Sequence, residues 1–255
     1  MDSPLNIKRY EIKHYVDLEQ MPRIREYLTP YIKLDPYSRV RKDGNYTVRS
    51  VYFDSASLDF YYEKMDGLKI RKKLRVRTYN EQDSINIAFL EIKRRYEKVI
   101  VKERLKIPLD SMERICIDRE KPNGQVLSDE FRSSSRNLNI GNNHVLDKFL
   151  YNLDHKDLRP TLLVTYEREA YIGIMDEKVR VTFDKNVRSQ IFPSMDDIFS
   201  EDDLTYVTDG LAIVEFKFDN YMPTWLRKAA YQLNIRAQSI SKYCMGIHEC
   251  HFNKL

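Results

Sequence analysis

The chain has 255 residues, which is enough to bury a sizeable core and is a length that single all-β or barrel domains often reach. Its 43 lysines and arginines nearly balance its 39 aspartates and glutamates, so a net charge of +4 does not by itself indicate a nucleic-acid-binding protein. Glycine is scarce, and neither G-x-x-x-x-G-K-[ST] nor G-x-G-x-x-G occurs, which argues against a glycine-rich phosphate loop.

The first half of the chain predicts five strands, because its polar and apolar side chains alternate with the two-residue period of a pleated strand. They cover residues 8–16, 46–53, 69–79, 87–95 and 98–107. Two helices are predicted between them. One follows Asp17 and runs to about Leu28, and the other covers Leu58–Met65 and ends before Gly67.

The strand at 69–79 has the strongest pattern, since its odd positions are all cationic and its even positions are mostly apolar. The cations are Lys69, Arg71, Lys73, Arg75 and Arg77. A helix would scatter these side chains around its circumference, whereas a strand collects them on one face. Basic edge strands are common, but other strands of this chain repeat the pattern, so a single protected edge does not explain it.

The second half predicts three more strands, at residues 161–172, 178–185 and 211–218. Helices are predicted at His144–Leu153, Thr224–Gln232 and Ser239–Ile247. Two polar stretches interrupt these elements. We interpret residues 118–143 as a surface insertion and residues 190–209 as an acidic loop.

About eight strands with short helices between them favour one domain over residues 1–255, of the α+β class and mainly β. We expect a closed eight-stranded antiparallel tunnel barrel with short flanking helices, because closure removes exposed sheet edges. The regular polar strand face would then line a wet interior. The opposite assignment of the two faces would give an open sheet with a charged outer side.

The polar face collects cations from six predicted strands. They are Lys13, Arg75, Arg77, Lys93, Lys102, Arg104, Arg168 and Arg180, with Glu11, Glu91, Glu215 and Lys217 among them. Such an interior favours a dense polyanion as ligand, since arginine binds phosphate oxygens bidentately and lysine acts as a compact point charge. The glutamates either balance these charges or hold Mg²⁺ or Mn²⁺, which bridges phosphate oxygens.

Nine short motifs follow one another in the order found in VTC domains. They are Arg9–Lys13, Tyr52–Asp54, Lys73–Arg77, Phe89–Lys93, Val101–Arg104, Tyr166–Arg168, Val179–Val181, Val214–Lys217 and Ser241–Tyr243. The chain therefore resembles the polyphosphate polymerase domains of the vacuolar transporter chaperone family, which belong to the triphosphate tunnel metalloenzymes (CYTH-like). Many tunnel enzymes begin with Glu-x-Glu-x-Lys, and Arg9 in the first glutamate position suits the VTC branch.

The resemblance implies a polyphosphate polymerase that transfers the γ-phosphate of ATP onto a growing inorganic polyphosphate chain. The catalytic residues would be Lys13, Arg75, Arg77, Lys93, Arg168, Arg180 and Glu215, with Glu215 as the ligand of Mn²⁺ or Mg²⁺. The phosphate-binding residues would be Lys13, Arg75, Arg77, Lys93, Lys102, Arg104, Tyr166, Arg168, Arg180, Lys217 and Lys242. Of these, Arg104 and Lys217 are included because they share the polar strand faces.

Two other functions stay open at this point. One is a metal-dependent tripolyphosphatase or nucleoside triphosphatase, and the other is a non-catalytic module that binds polyphosphate. A zinc site is a further alternative near the C-terminus, at Cys244, His248, Cys250 and His251. Their spacing matches no common structural zinc pattern, and a helix would spread the four side chains over different faces.

The sequence also suggests a location and a set of partners. Three cysteines are too few for a disulfide framework, the N-terminus lacks a signal-peptide core, and no stretch approaches the roughly 20 apolar residues of a membrane span. We expect a cytoplasmic protein with no transmembrane segment of its own. Its expected partners are ATP and inorganic polyphosphate but not nucleic acid, and a membrane protein is a further candidate partner.

Overall fold

The computed structural model describes residues 9–80, 87–97, 99–109, 111–112, 144–194 and 196–253. The strands are β1 (Arg9–Asp17), β2 (Ile32–Leu34), β3 (Asn45–Asp54), β4 (Ile70–Tyr79), β5 (Ile87–Tyr96), β6 (Val99–Pro108), β7 (Arg159–Gly173), β8 (Arg180–Ile191), β9 (Thr205–Tyr206) and β10 (Leu211–Asp219). The α-helices are α1 (Met21–Leu28), α2 (Pro36–Arg39), α3 (Asp59–Met65), α4 (His144–His155), α5 (Thr224–Gln232) and α6 (Lys242–Ile247). The predicted insertion at 118–143 lies outside the described residues.

Eight of the strands form one antiparallel path in the order β1-β10-β8-β7-β3-β4-β5-β6, with β2 added beside β7 and β9 beside β8. The sheet curls until its two end strands, β1 and β6, come into contact. Across the interior, Lys93 Nζ of β5 lies 2.5 Å from a carboxylate oxygen of Glu11 on β1. No hydrogen-bonded ladder joins β1 to β6 among the described residues, so the structure establishes a curled eight-stranded sheet.

The apolar strand faces point outward and are covered by helices. Leu74 and Val76 of β4 are fully buried in a cluster that includes Phe149 of α4 and Phe60 of α3. A second cluster packs the outer faces of β1, β8 and β10 against α1 and α5. The cationic side of β4 therefore faces the interior of the curled sheet, which confirms the predicted assignment of the two faces.

Helix α6 packs against the interior face of the sheet instead of its outer face. Tyr243 and Ile247 are buried there beside Leu162 of β7 and other interior residues. Gly246 permits this close approach, because a Cβ at that position would lie 2.5 Å from Ser189 Oγ and 2.7 Å from Leu162 Cδ2. The helix begins at Lys242 with Ser241 as its N-cap, three residues after the predicted start at Ser239.

The predicted strands and longer helices are present, but β8 continues to Ile191 where the prediction ended at residue 185, and three short strands or α-helices were not predicted. These are β2, α2 and β9, and β9 lies within the stretch interpreted as an acidic loop. The start of α2 had a readable signal, because Asp35 caps it by accepting from the Ser38 backbone N–H at 2.8 Å and Pro36 follows. In the described part of the chain, no helix is long and apolar enough to cross a bilayer.

Candidate functional site

The interior of the curled sheet contains a cavity of about 1310 Å³. All twelve residues predicted for the site line it, drawn from β1, β4, β5, β6, β7, β8, β10 and the first residue of α6. Among the described residues that line it, eighteen are lysine or arginine and four are acidic. Positive charge is therefore in large excess, and the cavity suits a polyanion.

Glu91 of β5 organises the cations in the middle of the cavity. Its buried carboxylate lies 2.6 Å from Arg75 Nη2, 2.5 Å from Lys102 Nζ and 3.2 Å from Arg104 Nε. These contacts follow from the strand register, which places Arg75 and Arg104 directly opposite Glu91 on its two neighbouring strands. Burial would raise the pKa of Glu91, but the nearby cations outweigh it and hold the pKa far below its usual value.

Asp184 of β8 organises a second group. It accepts two hydrogen bonds from Arg168 at 2.6 and 2.7 Å and a third from Lys242 Nζ at 2.6 Å. Burial would raise the pKa of Asp184, but these two cations lower it to about 2. Tyr166 lies beneath both of them, with Lys242 Nζ 4.7 Å from its ring centroid.

Glu215 of β10 lies among the predicted cations of β1 and β10. Its carboxylate is 3.2 Å from Lys217 Nζ and 4.0 Å from Lys13 Nζ. Burial would raise the pKa of Glu215, but Lys217 and Lys13 outweigh it and keep the pKa well below the usual value. The neighbouring Glu11 on β1 is close enough to repel it, while Lys93 pairs with Glu11.

These carboxylates restrict how a divalent ion can be held. No group of three His, Cys, Asp or Glu side chains suited to a metal occurs in the described ranges. A self-contained protein cage is therefore not formed by those residues. Glu215 and Glu11 do fit the other mode that Mg²⁺ uses, in which one or two carboxylates share the ion with phosphate oxygens and water.

The remaining predicted residues occupy the periphery of the cavity or bridge its strands. Arg180 is 43% exposed and its Nη2 donates to Asp35 at 2.7 Å, which fixes it beside α2. Arg77 is buried and donates to Ser50 Oγ at 2.9 Å and to the Tyr166 hydroxyl at 3.3 Å. The structure thus brings the predicted set together, with Arg180 held at its rim.

Sequence reasoning missed three interior residues. Tyr52 was not among the predicted site residues, yet its hydroxyl accepts from Arg75 Nη1 at 2.7 Å and it lines the cavity. Lys73 lines it too and donates to Ser241 Oγ at 2.8 Å. Asp184 was also not among the predicted site residues. The place of Tyr52 next to the apolar Val51 could have predicted that it lines the cavity, because neighbouring residues of a strand point to opposite faces.

The proposed zinc cluster is not assembled. Cys244 faces Lys73, whose Nζ donates to Sγ at 3.4 Å, whereas Cys250 Sγ donates to the Ser189 carbonyl at 3.4 Å. His251 packs against the ring of Phe252 instead. The helical turns spread these side chains apart, as their spacing suggested.

The sequence profile described as the VTC domain matches residues 8–251. The chain belongs to the VTC-domain family. A comparison with curated proteins found no match.

Solved structures are similar to this VTC domain over more than nine-tenths of its length. HpAC1 from Hippeastrum, described as a candidate adenylyl cyclase with a dominant triphosphatase activity, is 11% identical over 96% of each chain, with a TM-score of 0.53. A candidate adenylate cyclase from Bacillus halodurans is 13% identical over 92% of this chain and 94% of its own, with a TM-score of 0.47. At these identities the first likeness supports the fold and nothing more.

Proposed function

We propose that this VTC domain is a polyphosphate polymerase, which transfers the γ-phosphate of ATP onto the end of an inorganic polyphosphate chain. The observation that supports it most is the cation surplus of the cavity, in a chain that matches the VTC domain over residues 8–251. A long linear polyanion matches a channel with cations along its whole length better than a compact anion does. Ten of the eleven predicted phosphate-binding residues, all except Arg104, are assigned to this substrate.

The protein's part in the reaction would be positioning and charge neutralisation, because phosphoryl transfer needs little covalent chemistry from the enzyme. Arg75 and Arg168 are each held by a buried carboxylate, so their orientation is fixed before substrate arrives. The catalytic role is assigned to them with Lys13, Arg77, Lys93, Arg180 and Glu215. The end of the polyphosphate chain would be the nucleophile, and ADP would leave.

Glu215, with Glu11 beside it, would hold Mg²⁺ or Mn²⁺ together with substrate phosphates. When bound, the ion supplies neutralisation of the charge that develops on the transferring phosphoryl group. Glu215→Gln should therefore lower turnover by orders of magnitude. Polyphosphate affinity measured without metal should hold or rise, because the change removes a negative charge from a cationic cavity.

The deciding experiment incubates purified protein with ATP and Mn²⁺ and separates the products on a gel. Polymers longer than the substrate are expected. A metal-dependent triphosphatase, in which water would attack in place of the phosphate chain, is the second candidate, and it would release phosphate without polymers. Binding without turnover under any metal would instead identify a polyphosphate-binding module. Near-normal polymerisation by Glu215→Gln would remove Glu215 as the metal ligand.

We also propose that the curled sheet closes into a tunnel in solution. The support is the contact between β1 and β6 and the ion pair of Lys93 with Glu11 across the interior. A closed eight-stranded barrel is too narrow to admit duplex DNA. Polyphosphate should therefore bind tightly, with an affinity that falls steeply as salt rises, while equal affinity for duplex DNA would contradict closure.

A further inference from the structure

One end of the cavity carries a cluster of aromatic side chains beside its cations. The interior side chains of β4 run from Arg71 to Tyr79, so these two residues mark opposite ends of the cavity. At the Tyr79 end, its ring meets that of Phe89 at 5.8 Å and that of Tyr46 at 6.0 Å. A polyanion alone gives no reason for rings at this position.

Arg104 lies flat on this aromatic group. Its Cζ is 3.6 Å from the Phe89 ring centroid, Nη2 donates to the Tyr79 hydroxyl at 2.8 Å, and Nε is 3.2 Å from Glu91. Two edge nitrogens are therefore engaged and one face is covered. The side chain is nevertheless 37% exposed and lines the cavity, so the guanidinium offers the face that points away from Phe89.

This geometry is suited to stacking, since the planar guanidinium of arginine packs on ring faces while the donors on its edge bind other groups. In Arg104 two of these edge nitrogens contact Tyr79 and Glu91. Nucleobases stack on guanidinium planes and on aromatic rings, largely irrespective of sequence. Asn80 lines the same end, and its amide can donate to and accept from the edge of a base.

We propose that Arg104, Phe89 and Tyr79 form a nucleobase subsite, in which the base of a nucleoside triphosphate stacks on the open face of Arg104. The inference rests on the proposed function, and it makes a nucleotide the phosphoryl donor that the cavity selects over bare polyphosphate. Arg104 then has a stacking role, distinct from the phosphate contact expected from the sequence.

The spacing along the strands agrees with a nucleotide bound lengthwise. Phe89 and Lys93 are four residues apart on β5, which corresponds to about 13 Å. A base on Arg104 would direct its triphosphate past Arg77 and Arg75. The terminal phosphate would then lie towards Lys93 and Glu215, where the proposed transfer takes place.

The test is Arg104→Lys, which keeps the positive charge and removes the planar face. Calorimetric titration with ATP and with inorganic tripolyphosphate, both in the presence of a chelator, separates the base from the phosphates. ATP affinity should fall about five-fold or more, the lower limit for losing a stacked base, whereas tripolyphosphate affinity should change by less than about two-fold. Arg75→Lys is the matched control and should weaken both ligands.

A second variant covers the risk that Arg104→Lys disturbs Glu91. Phe89→Leu keeps every charge and removes the ring beneath the guanidinium, so it should show the same ATP-selective loss. Equal losses for both ligands, or no loss for either, in both variants would overturn the subsite. Wild-type protein that binds neither ATP nor tripolyphosphate would instead overturn the proposed function, and the subsite with it.

Discussion

Asp184→Asn tests whether a buried carboxylate stabilises the cationic cavity. Asp184 is fully buried and holds Arg168 of β7 and Lys242 of α6, so it connects the sheet to the C-terminal helix. Asparagine keeps the shape of the side chain and removes its charge. Two buried cations would then lose the partner they share.

The size of the effect follows from the ionisation of the group. A pKa of about 2 in place of 3.8 corresponds to about 2 kcal/mol in favour of the charged form. Removing one partner of a buried ion pair costs about 3–5 kcal/mol. We therefore expect the free energy of unfolding to fall by about 2–5 kcal/mol and Tm by roughly 5–15 °C.

Urea and thermal unfolding at neutral pH measure this loss, with Asp157→Asn as control. Asp157 pairs with Arg159 at 3.2 Å on the surface, where both side chains are more than half exposed, so little change is expected. Because the pKa of Asp184 is depressed in the folded state, its contribution to the free energy of unfolding is present above about pH 4. The difference in this free energy between wild type and Asp184→Asn should therefore disappear as the pH falls towards 2. An Asp184→Asn protein as stable as the control at neutral pH would refute the reasoning.

Two other predictions concern the interior. Burial raises the pKa of Tyr52, but Arg75, Arg77 and Lys73 outweigh it and lower the pKa to about 8. Polyphosphate affinity should thus drop as the pH rises through about 8 and the phenolate forms. Tyr52→Phe should show neither this drop in affinity near pH 8 nor the accompanying rise in tyrosinate absorbance. Gly246→Ala should destabilise the protein by about 1–3 kcal/mol in urea unfolding, because its Cβ would overlap Ser189 Oγ. An unchanged midpoint would show that α6 can shift.

Much of the fold could be predicted because strand periodicity fixes which face each side chain occupies. In β4 the alternation of Arg75 with Val76 assigned the two faces correctly, and the same argument held for its neighbours. Helix α6 could not be placed in this way. Its position inside the curled sheet depends on Gly246, whose missing Cβ has a meaning only once Ser189 and Leu162 are known to lie against it.

The sequence predicted most residues that line the site but not the ion pairs that they form with one another. Alternation places Arg168 and Asp184 on interior faces, but their pairing depends on the register of β7 against β8, which contains an irregularity after Thr165. Tyr52 was missed for a different reason. It lies in a motif, Tyr52–Asp54, whose last residue does order the following turn by accepting from the Phe60 backbone N–H at 2.9 Å, and that structural role concealed the interior one.

The buried carboxylates reduce the repulsion among the many cations of the cavity. Glu91, Asp184 and Glu215 each neutralise two or three cations, and each is held charged by them, so the repulsion among the cations is offset locally. The cations paired with these carboxylates differ in how far their side chains are exposed to solvent. Lys102, whose side chain is 38% exposed, can turn from Glu91 to a phosphate oxygen at little cost, whereas Arg168 is held by two short bonds to Asp184. Substrate binding should accordingly exchange partners at the exposed cations and leave the buried pairs intact, so the buried pairs set the geometry and the exposed cations set the affinity.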